Sequence, residues 1–193
     1  MTWVVDCFAV GEVPQEKSEL VAMSLHYSER PFRATPEPAE PREPTVEEML
    51  ESGYLRDDIS LSYDLQMTAR RASDLFDVPY AVLISVMYKE SRFVVDAVNY
   101  DETCFGLMQI HRINFQWVQE ALAEYGVEDI QNDPEDNILA GAYMLKDLLE
   151  KYGDWHKVLM AYNCGEAGAR KLWDAGHESS EYSREVLEYA AGF

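Results

Sequence analysis

Positive charge is what this chain has least of. Lysine and arginine number 16 against 36 aspartates and glutamates in 193 residues, a formal net charge of −20. Such a balance repels nucleic acid and anionic membrane surfaces. No basic patch with interleaved aromatics offsets it, so nucleic acid is set aside as a partner. Long apolar runs are missing too. No stretch reaches the roughly 18 consecutive apolar residues that mark a bilayer-spanning helix, and no transmembrane segment is expected. Trp3-Val4-Val5 and Phe8-Ala9-Val10 stand near the start, but no basic region precedes them and Asp6 interrupts them, so a signal peptide is not expected there. Cysteine is scarce and odd in number: Cys7, Cys104 and Cys164 form neither a disulfide framework nor a zinc spacing. The four histidines, His26, His111, His156 and His177, show no ligand spacing either, so neither a metal nor a cofactor is expected. There is no internal repeat, and no alternating strand pattern of useful length.

Apolar residues make up 47% of the chain, enough for a sizeable core. Six of the eight prolines fall before residue 45, and Pro31 to Pro44 reads P-F-R-A-T-P-E-P-A-E-P-R-E-P. Proline removes backbone donors and blocks helix, and the interleaved acids repel one another. Residues 1–44 are therefore expected to be a disordered acidic tail or linker. Order begins at Thr45, where Thr45-Val46-Glu47-Glu48 matches a capping box. A helix fits Leu61 to Phe76, with Leu65, Ala69, Ala72 and Phe76 on one face. Pro79 suits the first turn of the next helix, P-Y-A-V-L-I-S-V-M-Y-K-E, which is apolar nearly all round and so central. Residues 95–112 read as loop and turn. A further helix fits Asn114 to Tyr125, closed by Gly126. Asp133-Pro134 opens a long helix closed by Gly153. Asp154 caps a helix carrying Trp155, Val158, Leu159 and Tyr162, and a last helix covers about Tyr182 to Ala190. The expected fold is all-α, one helical domain over residues 45–193.

Glu90 ends the central helix. In helical register its neighbours are Val86 and Met87, with Phe93 beyond the helix end. Burial among apolar groups raises a carboxyl pKa because the anion loses hydration, and a helix C-terminus disfavours the anion further. Glu90 thus suits a general acid, a role worth ~10²–10⁴-fold in rate. Three segments recur in order: Glu90-Ser91-Arg92-Phe93, Gly106-Leu107-Met108-Gln109-Ile110 and Ala161-Tyr162-Asn163. An acid, a glycine-led turn with an amide, and a Tyr-Asn pair compose a plausible carbohydrate site.

In this order and spacing the segments closely resemble the catalytic domain of lytic transglycosylases of the soluble, goose-lysozyme-like kind, over roughly residues 62–190. The resemblance implies a lysozyme-like helical fold and peptidoglycan glycan strands as substrate. In that family one glutamate, here Glu90, protonates the β-1,4 bond between N-acetylmuramic acid and N-acetylglucosamine. It then deprotonates the muramic acid C6 hydroxyl, which closes a 1,6-anhydro ring without consuming water. Ser91, Asn99, Met108, Gln109, Tyr162, Asn163 and Tyr182 follow as substrate-binding positions. Tyr182 enters through Glu178-Ser179-Ser180-Glu181-Tyr182, which resembles a family segment E-T-x-x-Y.

The chain also departs from the family. Asn99 stands where many relatives carry serine, though its amide can donate to the Glu90 carboxylate. Tyr100-Asp101-Glu102-Thr103-Cys104-Phe105 replaces a small, glycine-rich segment. Asp101 or Glu102 could serve as a second carboxylate, which leaves a hydrolytic muramidase open as an alternative. A catalytically silent glycan-binding or assembly subunit is the other alternative. Ile110-His111-Arg112-Ile113-Asn114 is similar to the Met-Gln-Ile-Asn style of some phage and secretion-associated members, which implies secretion or phage machinery as a partner. Cys104 and Cys164 both flank motif residues; a disulfide is open to them, and two small buried thiols are expected. The resemblance implies action outside the cytoplasm, in the periplasm or cell wall.

Overall fold

The computed structural model describes residues 42–193. The tail expected over 1–44 lies almost wholly outside the described residues, as do Cys7, His26 and the apolar residues weighed as an export signal. Residues Pro44–Phe193 form one compact unit, and the expected all-α architecture is observed in it.

Helix starts follow local chemistry. In α1, Val46–Glu51, the Thr45 hydroxyl accepts the Glu48 N–H at 3.3 Å while the Glu48 carboxylate accepts the Thr45 N–H at 2.8 Å, so two orphan donors are satisfied reciprocally. α2, Tyr63–Phe76, starts two residues later than expected because the Ser62 hydroxyl caps it, accepting from the Leu65 N–H. Its buried face carries Leu65, Ala69, Ala72 and Phe76. α3, Tyr80–Ser91, uses Pro79 as its N-cap rather than as a first-turn residue, and Val82 through Met87 are all buried.

A two-residue hairpin follows. β1, Cys104–Phe105, and β2, Ile110–His111, pair antiparallel with Cys104 opposite His111 and Phe105 opposite Ile110. Strands this short leave no readable alternation. The single helix expected over residues 114–125 is divided. A 3-10 turn, Arg112–Asn114, leads into α4, Phe115–Ala121, and a second 3-10 turn spans Ala123–Tyr125. The break falls at Leu122, whose side chain is fully buried and whose backbone leaves the helical region at φ −105°, ψ 13°. α5, Pro134–Tyr152, has Asp133 as its cap and Gly153 at φ 64° as its stop. α6, Trp155–Asp174, starts on Asp154, and α7, Glu181–Ala190, starts on a box between Ser180 and Ser183.

The packing closes a circuit: α2 lies on α5, α5 on α6, α6 on α7, α7 on α3, and α3 on α2. α3 is held within this circuit by its almost continuous apolar surface. The circuit delivers three things to one place: the end of α3, the hairpin turn, and the middle of α6.

Candidate active site

Glu90 is the penultimate residue of α3. The helix stops because Arg92 and Phe93 both adopt left-handed backbone, at φ 55° and 64°. Two successive non-glycine residues there are strained. Phe93 is buried against Tyr88, ring centroids 5.7 Å apart, and the Arg92 guanidinium lies 4.1 Å from the same tyrosine ring. These contacts hold the stop and leave Glu90 half-buried at the helix end. Burial pushes its carboxyl above the ordinary 4.5, opposed first by a hydrogen bond from Tyr182 and then by the charge of Lys89. The Tyr182 hydroxyl donates to Glu90 Oε1 at 2.5 Å. Tyr182 sits in the first turn of α7 and is buried; burial and the facing carboxylate keep its hydroxyl well above its ordinary 10, so it remains a donor. Lys89 is ion-paired with Glu185, which ties α3 to α7 beside the acid.

The hairpin turn is built around Gly106, at φ 75°. A Cβ there would meet the Asn137 side chain at 2.5 Å, so glycine is required by conformation and by space. Gln109, itself at φ 46°, donates from Nε2 to the carbonyls of Ala97 at 3.0 Å and Gly106 at 2.9 Å. α5 receives the turn with two residues one helical turn apart. Asn137 Oδ1 accepts the Met108 N–H at 2.8 Å, and its Nδ2 donates to the carbonyls of Phe105 at 3.0 Å and Ile130 at 2.9 Å. Gly141 makes room for the Met108 side chain, which would lie 2.5 Å from a Cβ. From α6, the Tyr162 hydroxyl donates to the Met108 carbonyl at 2.9 Å. Burial, then the charges of Glu90 and Cys104, push that hydroxyl well above 10. α6 bends just beyond, at Gly165, where φ 72° and ψ 156° lie outside the helical region. The bend turns the backbone at the cleft edge.

These elements enclose a cleft of about 530 Å³ lined by Glu90, Cys104, Gln109, Ile110, His111, Ile113, Asn114, Met144, Tyr162, Asn163, Cys164 and Gly165. Its volume lies within the range of small-molecule sites. Glu90 is the one carboxylate among these lining residues.

The proposed positions fall into two groups. Glu90, Gln109, Tyr162 and Asn163 line the cleft, and Tyr182 bonds Glu90 from behind. Three others do not reach it. Met108 is fully buried in the core, because its side chain fills the notch at Gly141. The Ser91 hydroxyl donates to the Met87 carbonyl within its own helix at 3.0 Å. Asn99 turns to its own loop: Oδ1 accepts the N–H groups of Thr103 at 2.7 Å and Cys104 at 2.9 Å, and Nδ2 donates to the Thr103 hydroxyl. Its amide is thereby engaged away from Glu90. Asp101 and Glu102 are exposed and do not line the cleft. Cys104 and Cys164 are free thiols rather than a disulfide; Cys104 is half-buried but Cys164 is exposed, so the expected burial holds for neither in full. Among the described residues, no group of three or more His, Cys, Asp or Glu is placed to hold a metal ion, and no helix is long and apolar enough to cross a membrane.

Asn137 and Met144 carry no expectation from the sequence, and His111 and Asn114 enter there without a role at the site. Asn137 had a signal: a polar residue on the face of a helix that is otherwise Ile138, Gly141, Ala142 and Leu145. The other three reach the cleft only through the fold.

The family described as the Transglycosylase SLT domain matches residues 67–184. The X polypeptide of Escherichia coli is 32% identical over 134 residues, which is 63% of this chain and 75% of that protein. Invasion protein IagB of Salmonella typhi is 26% identical over 129 residues, 60% of this chain and 78% of that protein. Among solved structures, the 70 kDa soluble lytic transglycosylase of Escherichia coli superposes with a TM-score of 0.58 at 20% identity, over 69% of this chain and 24% of that one. An inactive mutant of the lytic transglycosylase Slt from Pseudomonas aeruginosa gives 0.56 at 20% identity, over 75% and 26%. The chain thus spans about a quarter of the length of these solved proteins, and at this identity the likeness is one of fold.

Proposed function

The chain belongs to the transglycosylase SLT domain family, and from that premise we propose that it is a peptidoglycan lytic transglycosylase whose single catalytic group is Glu90. Its helical fold is the lysozyme-like one of soluble lytic transglycosylases. The catalytic unit is residues 45–193, with residues 1–44 as tail or linker. The observation that carries the reading is a half-buried carboxyl, raised above its ordinary pKa, standing as the one acid in a 530 Å³ cleft.

In this reading Glu90 gives its proton to the glycosidic oxygen as the bond between N-acetylmuramic acid and N-acetylglucosamine breaks. The departing N-acetylglucosamine leaves as an alcohol. The resulting Glu90 carboxylate takes the proton of the muramic acid C6 hydroxyl, whose oxygen bonds to the anomeric carbon. A 1,6-anhydro end forms, Glu90 is protonated again, and water is not consumed. Burial favours the acid form for the first step. The Tyr182 hydroxyl, 2.5 Å from Oε1, stabilises the carboxylate formed between the two steps. Gln109 Nε2 is engaged by the turn, which leaves its Oε1 as the group offered to substrate. Exposed Asn163 is a second contact. Ser91, Asn99 and Met108 act through the backbone they hold.

The substrate places the site of action outside the cytoplasm, in the periplasm or cell wall. Service to a secretion or phage machinery is part of the proposal, and the similarity to a protein named for invasion bears on the first of these alone. A hydrolytic muramidase is the lesser reading, since its second carboxylate would have to be Asp101 or Glu102, and neither lines the cleft. A silent glycan-binding subunit has no use for a desolvated acid.

The test is digestion of purified peptidoglycan by wild type and Glu90→Gln, with mass spectrometry of the soluble fragments. Products one water lighter than reducing-end fragments, absent with the variant, are expected. Reducing-end products would convert the reading to a muramidase. No products from folded wild type on several peptidoglycan types would point to the binding subunit.

A further inference from the structure

Beside the Glu90 cleft lies a second cavity of about 450 Å³, lined by Asn114, Trp117, Met144, Asp147, Leu148, Lys151, Ala161, Tyr162, Gly165 and Glu166. Asn114, Met144, Tyr162 and Gly165 line both. The two are therefore neighbouring lobes of one groove, running along α4, the outer face of α5 and the bend of α6.

Trp117 is the distinctive feature of the second lobe. It is 38% exposed, though a large aromatic gains most from burial. It is also fixed: its indole N–H donates to Asn114 Oδ1 at 3.0 Å, and its ring is tilted against Tyr143 with centroids 6.0 Å apart. The Asn114 bond satisfies the ring's polar edge, so what Trp117 still offers is apolar ring surface. The remaining polar groups of the lobe are paired. Lys151 Nζ bridges Asp147 at 2.8 Å and Glu166 at 3.1 Å, and Glu166 also accepts from the Tyr152 hydroxyl at 2.5 Å. Arg170 pairs with Glu166 as well, at 3.5 Å, so the two carboxylates are matched by two cations and the lobe offers no unpaired charge to an anion. An open aromatic face with hydrogen-bonding groups around it and no attraction for anions fits a neutral pyranose ring, whose C–H face is apolar and whose rim is polar.

Resting on the proposed function, we propose that this lobe is a distal subsite in which Trp117 stacks against an N-acetylglucosamine ring of the strand being cut, rather than against the carboxylate-bearing muramic acid or its peptide. The groove then reads strand length as well as the scissile pair. A strand reaching both lobes gains a contact that a short fragment cannot make.

The test uses the full chain with peptide-free glycan strands, long and short, together with peptide-bearing strands. For Trp117→Ala, KM on long strands rises about three- to tenfold, kcat is unchanged, and cleavage of short fragments is unaltered. Trp117→Phe recovers most of the loss. In Glu90→Gln, long neutral oligosaccharides change the tryptophan fluorescence, and adding Trp117→Ala removes the change; circular dichroism establishes that each variant is folded. Equal KM for wild type and folded Trp117→Ala on long strands overturns the subsite while leaving the transglycosylase intact. An effect confined to peptide-bearing strands overturns the sugar assignment and makes the lobe a peptide site. A wild type that cuts nothing defeats the underlying reading instead.

Discussion

Glu90 is held between two opposing influences, and each yields a prediction. Burial disfavours its anion, while the Tyr182 hydroxyl stabilises it. Tyr182→Phe removes the stabilising bond, so the Glu90 pKa rises further. Since the first step needs the protonated acid, the limb on which kcat/KM falls with rising pH moves to higher pH, as a full pH–rate profile would reveal. A limb that stays in place would mean that the hydroxyl does not act on Glu90. The second prediction concerns stability. A carboxyl whose folded pKa lies above its ordinary 4.5 contributes stability that is complete below that value and is lost as pH rises through the folded pKa. At neutral pH the wild type therefore carries a penalty that Glu90→Gln lacks, because glutamine stays neutral and its carbonyl can still accept from Tyr182. Thermal unfolding should show Glu90→Gln with the higher Tm at neutral pH and the difference closing below about pH 4.5. A difference independent of pH would sink the idea that desolvation dominates at this position. The linkage also bears on mechanism, since the same desolvation that lowers stability is what keeps a proton available for the glycosidic oxygen.

The elements that were legible in the sequence are those whose determinants are local. The Thr45–Glu48 box, Asp133-Pro134 with Gly153, and Asp154 all act within a few residues of themselves, and each appears where expected. The same holds for the apolar circumference of α3, which places Glu90 without reference to any other segment. What was not legible depends on contacts distant in sequence. Nothing around Asn137 announces that it will accept from Met108, 29 residues earlier, or donate to Phe105, 32 residues earlier. The family resemblance aims the Asn99 amide at the carboxylate, but Thr103 and Cys104 are closer in the chain: their N–H groups donate to its Oδ1 and the Thr103 hydroxyl accepts from its Nδ2. The bend of α6 is not legible either, because glycine within a helical pattern is tolerated by the helix; Gly165 instead adopts φ 72°. Asn137 is the best place to test how α5 supports the turn. Asn137→Ala leaves the Met108 N–H and two carbonyls without their partner in a buried setting, each worth about 1–3 kcal/mol. Urea unfolding is expected to show a loss of that order or more. Activity should fall under conditions where the variant is still folded, because the Gly106–Gln109 turn loses its anchor. Folded Asn137→Ala with wild-type activity would show that the turn is held well enough by its other contacts, those of Gln109, Gly141 and Tyr162.

At the scale of the whole molecule the dominant fact is the net charge of −20. Surface ion pairs such as Lys146–Glu150 and Arg71–Glu135 lie in or near solvent, add little stability and leave the net charge as it is. The proposed substrate is also anionic, through the muramic acid and its peptide stems, so long-range electrostatics oppose encounter rather than steer it. Binding must then come from short-range contacts in the groove: hydrogen bonds near Gln109 and Asn163 and apolar contact with sugar faces. This separation of ranges has a measurable signature. Screening shortens the reach of the repulsion from about 30 Å at 0.01 M salt to about 8 Å at 0.15 M, while contacts inside the groove are screened much less. Initial rates on peptide-bearing peptidoglycan should therefore rise with salt across that interval, mainly through a lower KM. Strands stripped of their peptides carry fewer carboxylates and should show a weaker rise. If the rate on intact peptidoglycan instead falls with salt, a local attraction governs encounter despite the net charge, and the groove's ionic groups rather than its sugar-facing surfaces would have to supply it.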